Sequence, residues 1–404
     1  MAILNSIASW LMVKRLHQIE LFMKHPHEVQ QECFTSLIAS GRETEFGEVH
    51  GFGDVNSYQQ FIRNLPVQSY DSLKPWIERT RKGEQHLLWP TEVKWFAKSS
   101  GTTNDKSKLI PVTQESLEDC HFKAGKDMIT LYCSNYPEHQ LFTGKNLALG
   151  GSHRTDEYDN YESYQGDVSA IVIQNLPLWA DLFRAPNVDI ALMSEWNEKL
   201  LKIAETTKDE NVVSLAGVPS WMLVVLRKVM EMTGKNLIRD VWPNLEVYFH
   251  GGVNLGPYRP QLKELLGKDI NYLELYNASE GFFGIQDQKD SNELLLMLDY
   301  GIFYEFIPPG EWSSEHPKTL QLHETEIGVS YALLISTAGG LWRYAVGDTI
   351  EFTSIIPYRF RITGRTKCFI NVFGEELMEG NAEKALFTTC EKTGAIINEY
   401  TAAP

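Results

Sequence analysis

Between Ser99 and Lys108 the chain reads Ser-Ser-Gly-Thr-Thr-Asn-Asp-Lys-Ser-Lys. Four hydroxyl donors, Ser99, Ser100, Thr102 and Thr103, flank Gly101, and Lys106 and Lys108 follow within a few residues. Backbone N–H groups, hydroxyls and a lysine around one glycine-centred turn are the donor set that a chain of phosphates needs. A Ser/Thr-rich surface turn has the same composition, so the loop alone does not decide. The pattern GxxxxGK followed by Ser or Thr is absent, which excludes a kinase or ATPase of the common phosphate-loop type.

Three further pieces lie downstream. Gly251-Gly252-Val253 is a turn where a flat ring can approach bare backbone. Tyr276-Asn277-Ala278-Ser279-Glu280 joins an aromatic ring to a carboxylate, and Arg343-Tyr344-Ala345-Val346-Gly347-Asp348 ends in an acid after a glycine. A carboxylate that accepts two hydrogen bonds suits a ribose diol, and a second carboxylate near phosphates suits Mg²⁺. Taken singly, Asp348 reads as a turn residue, Glu280 as a helix cap and Tyr276 as core. The ordered set of four is what points to a nucleotide.

Such pieces must be held by the elements before them. Alternating Val93, Trp95 and Ala97 predict a strand that empties into the Ser/Thr loop. Buried strands are expected at 147–151, 212–217, 245–250 and 270–275, with a helix over 221–232 and a polar loop over 152–165. Strands separated by helical segments and closed by glycine-rich turns predict an α/β fold, in which ligands collect at the carboxyl ends of the strands. Pro26 opens a helix that stops at Gly41. Asn56 and Asp71 read as caps of short helices, and Thr113 caps a helix whose inner face is Leu117, His121, Ala124, Met128 and Leu131. His121 on that face reads as a core histidine. Trp221, Met222 and Val225 can line a substrate pocket, but core is the commoner role of an apolar helix face. From Leu294 on, strands follow one another with little helix between them, and alternating Val329, Tyr331, Leu333 and Ile335 predict a half-exposed antiparallel strand.

The whole chain narrows the class. Its 404 residues, 43% hydrophobic, suffice for more than one domain or subdomain. A net charge of −16 without a long Lys/Arg run argues against nucleic acid or an anionic membrane as partner. Five scattered cysteines without a CxxC pair give neither a zinc site nor a disulfide framework, and fit a reduced, cytoplasmic protein. The first residues, broken by Asn5, Ser6, Ser9 and Lys14, read as an amphipathic helix rather than a signal or a membrane span.

The set resembles the adenylate-forming superfamily of acyl-CoA synthetases, nonribosomal-peptide adenylation domains and luciferases. More closely, it resembles the auxin-responsive Gretchen Hagen family of acyl acid–amido synthetases and its bacterial relatives. The resemblance is carried by SSGTT with Lys108 at 99–108, YNASE at 276–280 and WRYAVGD at 342–348. ETEFG at 43–47, PVQSYDSLKPWIER at 66–79, VWPNL at 241–245 and TGRTKCFINVFGEEL at 363–377 extend it in family order.

The resemblance implies the adenylate-forming fold, with a large ATP- and acyl-binding domain over 1–364. That domain would comprise a layered α/β core to about 290 and an appended β-rich subdomain over about 291–364. Residues 365–404 would be the hinge and the start of a small C-terminal α+β domain, most of which is missing where the chain ends at Pro404. Ser99, Ser100, Thr102, Thr103 and Lys108 would hold the phosphates of ATP, and Gly252, Val253 and Tyr276 would border the adenine. Glu280 would bind Mg²⁺, Asp348 the ribose hydroxyls, and Arg365 the nucleotide near the hinge; Lys108 and Glu280 would carry catalysis. The implied reaction is ATP-dependent adenylation of a small carboxylic acid, then transfer to an amine, that of an amino acid. A CoA ligase with a thiol acceptor and a catalytically idle nucleotide-binding relative are the alternatives. Two positions depart from the family: Asn104-Asp105 replaces a glycine-containing pair, and Ala345 stands where plant members carry arginine.

Overall fold

The computed structural model describes residues 2–99, 107–158 and 161–366, and beyond them 369–372, 375–378, 385–386, 388–390, 392–393 and 395. The chain divides into two compact units, neither of them continuous: residues 1–135, 155–165 and 278–367 form one, and 136–154, 166–277 and 368–404 the other.

The first unit opens with the helices Ala2–Lys24 and Pro26–Gly41. Pro26 sits at the first helical position, where its missing N–H is no loss. Gln30, Phe34, Leu37 and Ile38 recur at helical spacing and are buried. Phe34 meets the rings of Phe61 and Phe303 at 5.4 and 5.0 Å. The buried Gln30 amide staples this helix to the sheet: Nε2 donates to the Leu298 and Ile302 carbonyls, and Oε1 accepts from the Tyr304 amide.

The β-rich part of this unit is antiparallel, in the order Leu320–Gln321, Ile302–Ile307, Ser330–Thr337, Tyr344–Ile355, Tyr358–Arg365, Leu294–Leu296, Gly281–Ile285. The expected half-exposed strand is instead buried on both faces, with only Ser330 of Ser330–Thr337 part-exposed. The alternation misled because the intervening Ala332 and Leu334 are apolar too, as in a strand covered on both sides. A second sheet pairs Trp95–Ser99 with Lys108–Val112 in antiparallel register, Ser99 opposite Lys108. The expected polar loop at 152–165 holds two further strands of that sheet, His153–Tyr158 and Tyr161–Gly166. Tyr164 stacks on Trp95 at 4.6 Å, which is what a loop reading of that segment missed.

Neither Asn56 nor Asp71 is a cap. Ser57 accepts from the Gln60 amide to open Tyr58–Asn64, and Ser69 with Ser72 forms a capping box before Tyr70–Arg81. Replacing Ser57 by Ala is therefore expected to cost about 1 kcal/mol, and replacing Asn56 by Ala much less. Equal shifts in urea midpoint for the two variants would contradict that assignment.

The second unit is parallel, in the order Asn271–Ala278, Val247–Gly251, Val212–Gly217, Lys145–Ala148, Arg184–Ala185. Val212, Val213, Ser214 and Leu215 are all buried, as expected of a central parallel strand. Leu215, Met222, Val225, Leu226, Trp242 and Leu262 belong to one core cluster with the helices Trp196–Thr207, Pro219–Thr233 and Arg259–Leu266. Met222 and Val225 are thus core, whereas Trp221 of the same helix is 43% exposed. Among the described residues no helix is long and apolar enough to cross a membrane.

Candidate active site

The first strand of the four-stranded sheet delivers Ser99, and the returning strand begins at Lys108, so the two sit opposite each other at the mouth of the Ser/Thr loop. Ser100, Thr102, Thr103, Asn104, Asp105 and Lys106 lie outside the described residues. Lys108 is half-buried, and its ammonium donates to the Tyr344 hydroxyl at 3.3 Å. It lies 5.9 and 5.8 Å from the ring centroids of Tyr70 and Tyr344. The Tyr70 hydroxyl accepts from the backbone amide of Leu109, which fixes the strand that carries the lysine. Two aromatic faces hold a cation in place without neutralising it.

Glu280 occupies a two-residue turn between the strands Asn271–Ala278 and Gly281–Ile285. No helix follows, so a capping role is ruled out. The turn rests on the strand Trp95–Ser99, with the Ser279 hydroxyl donating to the Lys98 carbonyl. Burial pushes the Glu280 carboxyl up to about 7, Asp348 adds to the rise, and Lys108 and Arg365 oppose it. Tyr344 also hydrogen-bonds the Glu280 carboxylate, and burial, then the charge of Glu280, drive its phenol well above the usual range. Glu280 lines a small cavity with Ser116, His121, Ser279, Thr337 and Gly339. His121 on the inner face of its helix also lines this cavity, and burial holds it neutral by lowering its pKa to about 4.

Asp348 and Arg365 face each other in the register of two neighbouring strands, with Nε 3.0 Å from Oδ1. Gly347, at φ +99°, makes the kink that precedes Asp348, and its carbonyl accepts from the Thr366 amide. Four strand ends of the first unit thus bring Lys108, Glu280, Tyr344, Asp348 and Arg365 into one cluster.

The expected adenine residues belong to the second unit. Gly251 pairs with Leu275, and a Cβ at Gly251 would stand 2.4 Å from the Leu275 carbonyl oxygen, so no side chain fits there. Gly252 (φ +83°) and Val253 form an exposed turn beyond it, and Tyr276 is buried on the paired strand. Ala345 packs with Ile307, Ala332 and Leu334.

Among the described residues no group of three or more His, Cys, Asp and Glu side chains is arranged to hold a metal ion.

Solved structures of related shape define the class. An acyl acid amido synthetase of the GH3.15 type in complex with 2,4-DB superposes with a TM-score of 0.79 at 18% identity, over 93% of this chain and 75% of that one. A 2-hydroxyisobutyryl-CoA ligase in complex with its acyl-AMP superposes with a TM-score of 0.57 at 13% identity, over 89% and 71%. The fold is that of the adenylate-forming ligases.

Within that class, the GH3 family N-terminal domain matches residues 15–270 and the GH3 family central domain residues 295–365. The chain belongs to the GH3 family, and with it to the ligases. Its relatives include the indole-3-acetic acid-amido synthetase GH3.2 of Arabidopsis thaliana, 23% identical over 96% of this chain and 83% of that protein. The indole-3-acetic acid-amido synthetase GH3.8 of Oryza sativa is 22% identical over 96% and 75%.

Proposed function

We propose that the protein joins a small carboxylic acid to the amine of an amino acid, using ATP to activate the acid. The reading is carried by the cluster of Lys108, Glu280, Asp348 and Arg365 around the Tyr344 hydroxyl. A carboxylate resists substitution because oxide would have to leave. In the first step a carboxylate oxygen bonds the α-phosphorus of ATP and the bond to pyrophosphate breaks. In the second the amine nitrogen bonds the carbonyl carbon, AMP departs with the acid's oxygen, and the ammonium proton is lost to solvent.

Lys108, with Ser99 at the loop mouth, would hold the phosphates and offset charge as pyrophosphate departs. Ser100, Thr102 and Thr103 would complete that cradle. Asp348 would accept the ribose hydroxyls, and Arg365, already bonded to it, would keep that carboxylate in place. Gly252, Val253 and Tyr276 would border the adenine. Glu280 would hold Mg²⁺, which when bound neutralises phosphate charge. A cytoplasmic setting fits this reading, since Cys33, Cys120 and Cys390 carry no disulfide. ATP–pyrophosphate exchange across a panel of aliphatic and aromatic acids tests the first step, and amino acids against CoA test the second. No exchange with any acid would remove the proposal; a thioester in place of an amide would correct the acceptor.

Glu280 gives a pH prediction with a definite sign. A carboxyl raised to about 7 in the folded protein is protonated there while still ionised in the unfolded chain, so its contribution to stability falls as pH rises from about 4.5 to 7. Glu280→Gln should therefore melt higher than the wild type at pH 8, the gap closing toward pH 5. The wild type should need more Mg²⁺ for exchange as pH falls through about 7, and the variant should show no such pH dependence. A variant with unchanged melting and unchanged Mg²⁺ requirement would take Glu280 out of the site.

A further inference from the structure

Arg343 lies in the bend just before the strand Tyr344–Ile355, and its side chain is bound to Glu305 rather than to the cluster that its neighbour Tyr344 joins. It is 3% exposed, and Glu305, which it meets, is fully buried. Nε reaches both carboxylate oxygens at 3.1 Å, and Nη2 reaches Oε1 at 2.8 Å. Nη1 donates to the Leu65 carbonyl at 2.6 Å and Nη2 to the Thr319 hydroxyl at 2.8 Å. The Tyr58 hydroxyl donates to Glu305 Oε1, so the Thr319 hydroxyl, 2.8 Å away, donates its proton to Tyr58. The ring Arg343–Thr319–Tyr58–Glu305 closes with each proton used once.

The backbone at this point is pinned as tightly. Arg343 has φ +44°, a left-handed conformation that a side-chain-bearing residue keeps only when its surroundings impose it. Its amide donates to the Ser336 hydroxyl and its carbonyl accepts from the Gln68 amide, while the Ala345 amide donates to the Gln68 carbonyl. The strand that leaves this kink presents Tyr344, whose hydroxyl takes the Lys108 ammonium, and four residues later Asp348.

We infer that the buried Arg343–Glu305 pair is a positioning device for the reaction: it holds the left-handed kink that aims Tyr344 at Lys108 and Glu280 and sets the course of the strand toward Asp348. The inference rests on the reading of the cluster as an adenylating site. Neither residue touches that cluster. A buried ion pair is weak evidence for stability as such, since apolar residues of similar volume often replace one at no cost. Stability and positioning can therefore be separated.

The test compares Arg343→Lys, Glu305→Gln and the double replacement Arg343→Met/Glu305→Leu, each assayed well below its melting temperature. Glu305→Gln leaves the buried guanidinium without its counter-charge, and Arg343→Lys keeps the charge but gives up the forked donors to Glu305, Leu65 and Thr319, so both should melt lower. The double variant should recover most of the melting temperature. Its pyrophosphate-exchange kcat should stay depressed by roughly tenfold to a hundredfold, the scale of a displaced site group, with the KM for the acid little changed. If the single variants do not fold, the double variant carries the comparison. Recovery of both melting temperature and kcat in the double variant would reduce the pair to packing and overturn the inference, as would folded single variants with wild-type kcat. MgATP affinity, read by calorimetry, separates this claim from the functional one. A wild type that binds MgATP but exchanges with no acid would remove the function, and the variants' affinity would then decide the positioning claim: weaker binding upholds it and equal binding overturns it.

Discussion

Lys108→Met should slow adenylation by roughly 10²–10³-fold while leaving the melting temperature close to that of the wild type. Methionine keeps the unbranched stem between the Tyr70 and Tyr344 rings, and only the charge and its bond to the Tyr344 hydroxyl are lost. A positioned donor aimed at charge that develops in the transition state is worth this much in other enzymes. The half-buried setting spares the lysine part of the screening that a surface charge suffers. The measurement is single-turnover release of pyrophosphate at saturating ATP and acid. A rate within about threefold of the wild type, an effect of well under 1 kcal/mol, would move the phosphate charge to another cation.

Asp348→Ala should weaken nucleotide binding by about 1–3 kcal/mol, the range for losing hydrogen bonds to a charged acceptor. Part of that loss has a second source, because the Arg365 guanidinium loses its 3.0 Å partner. Ligand chemistry separates the two. Calorimetry with ATP and with its 2′,3′-dideoxy analogue in both proteins gives a double-mutant cycle. Contact with the ribose predicts a large defect for ATP and a small one for the dideoxy analogue. Equal defects for the two ligands would make Asp348 a partner of Arg365 only.

Much of the candidate site is legible as motifs because its pieces are local in sequence. The strand into the Ser/Thr loop, the Gly251–Gly252 turn, the YNASE turn and the acid after Val346-Gly347 each declare themselves within a few residues. Strand pairing then delivers Ser99 opposite Lys108 and Asp348 opposite Arg365. What joins the pieces was not legible. Tyr70 and Lys108 are 38 positions apart, and Tyr344 lies far downstream of both, so no periodicity could show that one ammonium sits against both rings. The Glu305 carboxylate reads as a surface charge in an apolar strand until Arg343, itself inside a recognisable motif, is seen to bury it. Helical spacing puts His121 on the inward face, as its burial bears out, but does not report the small cavity that opens there. The cap expected at Asn56 falls one residue on, at Ser57, within the usual uncertainty of helix ends. The segment at 152–165 looked like a loop because strands carrying His, Arg, Asp and Glu lack an apolar alternation.

The central claim is that the acid is activated as its adenylate, and an oxygen label tests it most directly. With an acid that supports pyrophosphate exchange, carrying ¹⁸O in both carboxylate positions, turnover in the presence of an amino acid should place one ¹⁸O in the phosphate of AMP and leave one in the amide carbonyl. Mass spectrometry of the two products reads this without a kinetic assumption. Label in orthophosphate, with ADP as the other nucleotide product, would show activation through an acyl phosphate instead, and the adenylating account of Lys108, Glu280 and Asp348 would be wrong.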